Sequence, residues 1–160
     1  MKIYPLIILL FLQISACYQE DNSDIQQNLN EATNFSLDIK TFDSFEQENN
    51  QFLQGEIINI RTYVTNLNDT ELVLNFGSYY TGDIELINQQ NETVWRVNEG
   101  KAFIQIPSKW TLEPNKTYES SFNWDQKLYP NDTQVPAGTY KLIFYLVGYD
   151  QVAEMTITIE

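Results

Sequence analysis

The chain has 160 residues, with 9 Lys+Arg against 22 Asp+Glu, no His and one Cys, for a formal net charge of -13. That length suits one domain with a working core. The lack of His excludes Ser-His-Asp and Cys-His nucleophile arrangements and His-ligated zinc, and the acidic balance argues against a nucleic-acid partner, whose phosphates demand a basic patch.

At the N-terminus Lys2 supplies one positive charge, Leu6 to Leu12 form an unbroken apolar run, and Ile14-Ser15-Ala16-Cys17 follows. A signal peptide has this order of charged start, short apolar stretch and small residues at the cleavage site. The run falls short of the roughly 20 apolar residues that a spanning helix needs. The tetrapeptide Ile-Ser-Ala-Cys resembles the lipobox of bacterial lipoproteins, in which the Cys thiol is acylated and becomes the first residue of the mature chain; Ile14 stands where Leu is commoner. The resemblance implies a lipoprotein signal peptide over residues 1–16, lipidation at Cys17 and a lipid anchor in a membrane of the cell envelope. The alternative is an ordinary secretory signal with an incidental Cys17, but the only Cys stands at the one position lipidation requires. Cleavage removes Lys2 and no acid, so the mature chain is one unit more negative. Acylation leaves no thiol, and an exported fold must then hold itself together by burial alone.

Residues 17–34 are rich in Gln, Asn, Asp and Glu, with Ile25, Leu29 and Ala32 as scattered apolar positions. Such a stretch cannot bury enough surface to offset its ordering entropy, so a disordered tether is expected. Glu20-Asp21 resembles the signal that sends lipoproteins of some Gram-negative groups to the outer cell face, and Tyr18 is not the Asp that marks inner-membrane retention in enterobacteria. In a Gram-negative host the expected location is therefore the outer membrane.

From Phe35 the period becomes two. Phe35, Leu37 and Ile39 alternate with Ser36, Asp38 and Lys40, and Ile58, Ile60, Thr62 and Val64 alternate with Asn59, Arg61, Tyr63 and Thr65. Short runs recur at Glu71–Phe76, Asp83–Asn88, Thr93–Val97, Thr117–Trp124, Thr139–Val147 and Glu154–Ile159, separated by Asn-, Gly- and Pro-containing turns. The one helical candidate, Asp43–Gln51, lacks an apolar face. Residues 35–160 are accordingly expected to form an all-β domain, an immunoglobulin-like (Ig-like) antiparallel sandwich of about seven to nine strands. Pro136-Ala137-Gly138-Thr139-Tyr140 places a Gly and then a Tyr before a strand, as in a tyrosine corner, where the phenol bonds back to upstream backbone. Leu142 occupies the site at which an antibody domain has Cys. A plain Gly turn followed by a core Tyr fits the same residues.

The order Gly55-Glu56, Val64-Thr65-Asn66, Leu74-Asn75-Phe76-Gly77-Ser78, Val94-Trp95-Arg96, Phe103, Leu112-Glu113-Pro114-Asn115, Trp124 and Pro136 to Tyr140 resembles the BsuPI domain, named for an intracellular proteinase inhibitor of Bacillus. The resemblance runs from about Leu37 to Tyr149. It implies an Ig-like sandwich and, as the family name, proteinase inhibition. The family's Pro-Gly turn reads Pro114-Asn115 and its Asp-Gly turn reads Gln90-Asn91, with Asn the next best residue at positive φ. A further departure is Thr81-Gly82-Asp83-Ile84 in place of an aromatic-rich strand start, and Gln126–Gln134 reads as an insertion. The named member works inside the cell, whereas this chain reads as exported, so its target need not be the same.

An inhibitor of the standard kind presents a rigid, convex, extended loop to the proteinase cleft. The candidate partner-binding loops are Ser78–Thr81 with Tyr79 and Tyr80, Asn98–Phe103 with Lys101 or Phe103 for a trypsin- or chymotrypsin-like pocket, and the long Asp125–Val135. Each also reads as an ordinary exposed turn, with Tyr79-Tyr80 a hairpin edge that packs one ring and exposes the other. Trp95 and Trp124 fall at core positions, while Trp110 is expected to be an exposed ring and a partner contact. The acidic loops lack the Asp-x-Asp-x-Asx-Gly spacing of a calcium site, and no catalytic motif stands out. No metal, cofactor or enzymatic activity is expected. Two functions stay open: a protein-binding module of the envelope, with a proteinase as partner, or an assembly domain that pairs by strand addition and inhibits nothing. Replacing Cys17→Ser should abolish lipid labelling and release the protein from membranes; retention of the variant on membranes would refute the anchor.

Overall fold

The computed structural model describes residues 34–160, so Cys17, the signal peptide and the tether up to residue 33 lie outside the described residues. The two-residue period of the sequence becomes strand structure throughout. In chain order the strands are β1 (Phe35–Phe42), β2 (Gln51–Phe52), β3 (Ile58–Asn66), β4 (Leu72–Phe76), β5 (Gly82–Ile87), β6 (Thr93–Arg96), β7 (Ser108–Leu112), β8 (Thr117–Trp124), β9 (Lys127–Leu128), β10 (Thr133–Gln134), β11 (Gly138–Leu146) and β12 (Val152–Ile159). Nine of these twelve have four residues or more, and the other three are two-residue pairings.

One sheet has the order β1-β3-β8, the second β2-β12-β11-β5-β6, and β4-β7 and β9-β10 form separate ribbons. With β1, β3 and β8 standing where an immunoglobulin domain has A, B and E, and β5, β11 and β12 where it has C, F and G, the fold is an Ig-like sandwich. Along β3, Ile58, Ile60, Thr62, Val64 and Asn66 face inward, and along β11, Tyr140, Leu142, Phe144 and Leu146 do so. These two faces meet with Phe35, Ile39, Leu86 and Ile157 in one core. Removing that apolar surface from water supplies the driving force for folding.

The pairing departs once from the antiparallel expectation: β2 runs parallel to β12, matching Gln51 with Thr158 and Phe52 with Ile159. The departure arises where the chain leaves β1 for the opposite sheet. Over the residues with helical candidacy, the Asp43 carboxylate accepts the N–H groups of Phe45 and Gln47 at 2.8 and 2.9 Å, and the N–H of Asn49 returns to the Thr41 carbonyl at 2.9 Å. A side chain that satisfies the backbone in this way competes with helix, so a turn forms and delivers Phe52 to the core.

Polar groups that enter the core are tied to backbone. Asn66, fully buried, donates through Nδ2 to the carbonyls of Thr70 and Leu112 at 2.9 and 3.0 Å and accepts the Asn68 N–H at 2.9 Å. At the other end Gln126, also fully buried, donates to the Leu53 carbonyl and accepts the Gly55 N–H, each at 2.9 Å. Trp124 stacks on Trp95 at 4.8 Å. The turns at Asn91 and Asn115 take φ values of 63° and 56°, the left-handed conformation expected where Asn replaces Gly.

The Tyr140 hydroxyl donates to the Pro136 carbonyl at 2.7 Å, which completes a tyrosine corner at the entry to β11. Tyr140→Phe should lower stability by about 1–2 kcal/mol, since it leaves a carbonyl at the corner unpartnered while keeping the ring. Urea unfolding should show a lower midpoint at unchanged slope; an unchanged midpoint would mean that the corner is incidental.

Candidate functional site

Strand pairing decides which loops meet. Because β4 pairs with β7 and β5 pairs with β6, the β4–β5 connection (77–81) and the β6–β7 connection (97–107) run side by side at one end of the sandwich. They are fastened by Asp83, a buried carboxylate at the start of β5. Its Oδ1 accepts the N–H groups of Ile84 at 2.9 Å and Asn98 at 3.2 Å, while Oδ2 accepts the Tyr80 hydroxyl at 2.8 Å. Asn98 returns the link by donating from Nδ2 to the Gly82 carbonyl at 2.9 Å. One carboxylate thereby ties three segments, and charge-assisted bonds of this kind are stronger than neutral ones. A Cβ on Gly82 would lie 2.6 Å from the Tyr145 carbonyl, so only glycine lets β5 approach β11 beside this junction.

The network continues along the sheet. The Tyr145 hydroxyl, 3.3 Å from that of Tyr80, donates to Glu85 Oε1 at 3.1 Å, and Arg96 on β6 pairs with the same oxygen at 3.1 Å. Burial pushes the Tyr80 phenol well above its ordinary pKa, and the hydrogen bonds to Tyr145 and Asp83 push the same way. Burial also raises the Tyr145 phenol.

Outside the network the loops make a continuous surface. The rings of Tyr80 and Phe103 pack at 5.0 Å, the Tyr79 N–H donates to the Ile104 carbonyl at 3.1 Å, and Ser108 Oγ donates to the Ser78 carbonyl at 2.6 Å. The turn at Gly100 has φ 71° and lies against the Tyr129 ring, where a Cβ would come within 2.7 Å of the ring carbon. Two grooves border the loops. A polar one of about 790 Å³ runs past Tyr80, Arg96, Lys101 and Phe103. An apolar one of about 220 Å³ opens between the sheets, lined by Tyr79, Phe103, Trp110, Tyr118 and Phe122 among others.

The five sequence candidates thus gather at one end of the molecule, with Phe103 bordering both grooves. Tyr79 is exposed and Tyr80 is packed, the division expected for adjacent tyrosines at a hairpin edge. Lys101 is exposed, with Nζ 3.3 Å from Asn98 Oδ1. Trp110 differs from expectation: its ring is half-buried and packs on Phe76 at 5.1 Å. The reason is β7, a strand absent from the sequence reading, whose pairing with β4 brings Trp110 opposite Leu74. Sequence reasoning also passed over Asp83 as a site residue and over Ile104 and Ile106, which stand exposed on the loop. The alternation Ile104-Gln105-Ile106 before Pro107 was the available signal for an extended segment.

An Ig-like domain with two fastened loops at one end is the class these observations define. The chain belongs to the BsuPI family, described as intracellular proteinase inhibitor, which matches residues 45–151. Strands β1 and β12 fall outside that stretch. Among curated proteins no match is found. Among solved structures, the CARDB domain of a Pyrococcus furiosus protein in complex with di-metal ions is 11% identical, covering 79% of this chain and 87% of that one at a TM-score of 0.43. A β-glucosidase from Erythrobacter marinus is 13% identical over 79% of this chain at a TM-score of 0.46, and one from Listeria innocua in complex with gluconolactone is 11% identical over 78% at 0.43. The chain spans only 15% and 16% of those two glucosidases.

A phenol held above its ordinary pKa in the fold supports stability below about pH 10, where unfolded tyrosines remain protonated, and withdraws that support as pH rises past it. Tyr80, Tyr140 and Tyr145 are all raised in this way. Stability should therefore decline above about pH 10, and Tyr80→Phe should make the decline shallower. Urea midpoints taken from pH 8 to 11 would show it; identical slopes in the two proteins would refute the assignment to Tyr80.

Proposed function

We propose that this protein is a lipid-anchored, non-catalytic binding module of the cell envelope that engages a proteinase outside the cytoplasm through its β4–β5 and β6–β7 loops. Membership of a proteinase-inhibitor family is the observation that carries the partner class. The fastening of both loops to Asp83 supports the choice of face, because a loop ordered before binding loses little entropy on docking. The anchor and the location rest on Ile14-Ser15-Ala16-Cys17 and the acidic residues that follow. At the outer face of a membrane, a strongly acidic domain is kept soluble and repelled from its own copies.

A second reading, an assembly domain without inhibitory activity, is favoured by β8. This eight-residue strand ends its sheet, and Thr117 to Ser121 are exposed on both faces. Such an edge is a template for an added strand. Titrating the full-length chain in detergent against a panel of secreted serine proteinases separates the two. Stoichiometric inhibition of at least one member is the expected result; inhibition of none, with an envelope protein co-purifying through the β8 edge, would favour assembly.

A further inference from the structure

The loop face presents apolar side chains that the fold leaves in water. Tyr79 is 57%, Ile104 61% and Ile106 58% exposed, although Phe103 between them is packed on Tyr80. Isolated exposed apolar residues are ordinary, but these three sit on two hydrogen-bonded segments. The local charge is also unlike that of the chain as a whole. No acidic residue occurs between Glu99 and Glu113, Ala102 to Ser108 carry no charge, and Lys101 and Lys109 flank that stretch. On a chain of net charge -13 this is a local reversal of sign. An uncharged apolar centre with a charged rim is the anatomy of a protein contact.

The segment is held in place before any partner arrives. Ile104 is bonded to Tyr79 through its carbonyl, Phe103 is seated on Tyr80, and Ser108 is bonded to Ser78. The Ile104 carbonyl matters for the manner of docking. A residue presented as a substrate must offer its carbonyl to the oxyanion-binding donors of the proteinase. That of Ile104 is turned inward onto the Tyr79 N–H at 3.1 Å.

We infer that Ile104, Ile106 and Tyr79 form the contact core for the proteinase partner, that they dock as side chains on an apolar site with an acidic rim, and that Ile104 is not presented as a scissile residue. The inference rests on the proteinase reading above and replaces Lys101 and Phe103 as the primary contacts. Phe103 supports the segment from beneath, and Lys101 and Lys109 steer association.

The test uses the full-length chain in detergent and the panel proteinase that it inhibits best. Ile104→Asp and Ile106→Asp should each raise the inhibition constant at least about tenfold, the loss expected at the centre of a contact. Leu53→Asp, an equally exposed position at the opposite end, should leave it unchanged. Lys101→Glu with Lys109→Glu should slow association at low salt and lose that effect at high salt. If an aspartate variant melts early, Ile104→Ser tests the same contact. Unaltered inhibition by the Ile104 and Ile106 variants, or an equal loss in Leu53→Asp, would overturn the inference and leave the proteinase reading standing. Accumulation of chain cut after Ile104 would overturn the manner of docking. A wild-type chain that inhibits no panel member would remove the proteinase reading, and the inference with it.

Discussion

The two sheets of this domain are held face to face by burial alone, since the chain's single cysteine lies outside the sandwich. Most disulfide-bearing Ig domains have a covalent tie between the sheets at the position of Leu142, which here is fully buried in the core. The consequence falls on the polar groups. In a core with no covalent link, each buried amide or carboxylate that lacked a partner would subtract directly from a small net stability. Asn66, Gln126 and Asp83 each satisfy this demand by bonding to backbone of a segment remote in sequence or in the sandwich. They serve as local ties between loops, and each tie doubles as a positional restraint.

The same restraint gives the loop face its order. Asp83 is at once the first buried group of β5 and the acceptor for Tyr80 and Asn98, so a requirement of the core also fixes the loops that border the two grooves. Tyr80 then supports Phe103, and the segment beyond it rests on Tyr79. Order thus passes outward from a buried charge through a phenol to an exposed aliphatic pair. The opposite end is organised by Gln126 and the tyrosine corner, and there too apolar side chains stay in water, Leu53 and Ile57 among them. What sets the loop face apart is that its exposed side chains, Tyr79, Ile104 and Ile106, stand on two connections fastened to one buried carboxylate.

Much of this was legible in the residues. The two-residue alternation located eight of the longer strands, the Gly-then-Tyr spacing located the tyrosine corner, and the Asn substitutions located turns of positive φ. Strand β7 escaped because it is short, follows Pro107 and alternates only through Trp110 and Leu112. The parallel pairing of β2 escaped because two residues carry no periodicity of their own. At the candidate site, Tyr79, Tyr80, Lys101 and Phe103 were visible as turn residues of suitable chemistry. Their convergence was not, because it follows from the pairing of β4 with β7, in which residues some 36 positions apart in sequence meet.

By itself the sequence determined the class of fold, the family, the acidity and the lack of any internal covalent tie, because these depend on composition, local periodicity and residue order. The tertiary structure alone decided which loops share an end, that Asp83 fastens them, that Trp110 turns inward, and that Ile104 and Ile106 rather than Phe103 face water. The physical reason is that exposure is not a property of a residue type. It is set by whether a neighbouring strand, distant along the chain, arrives to cover the side chain, and here Trp110 finds Phe76 while the aliphatic pair finds no such cover.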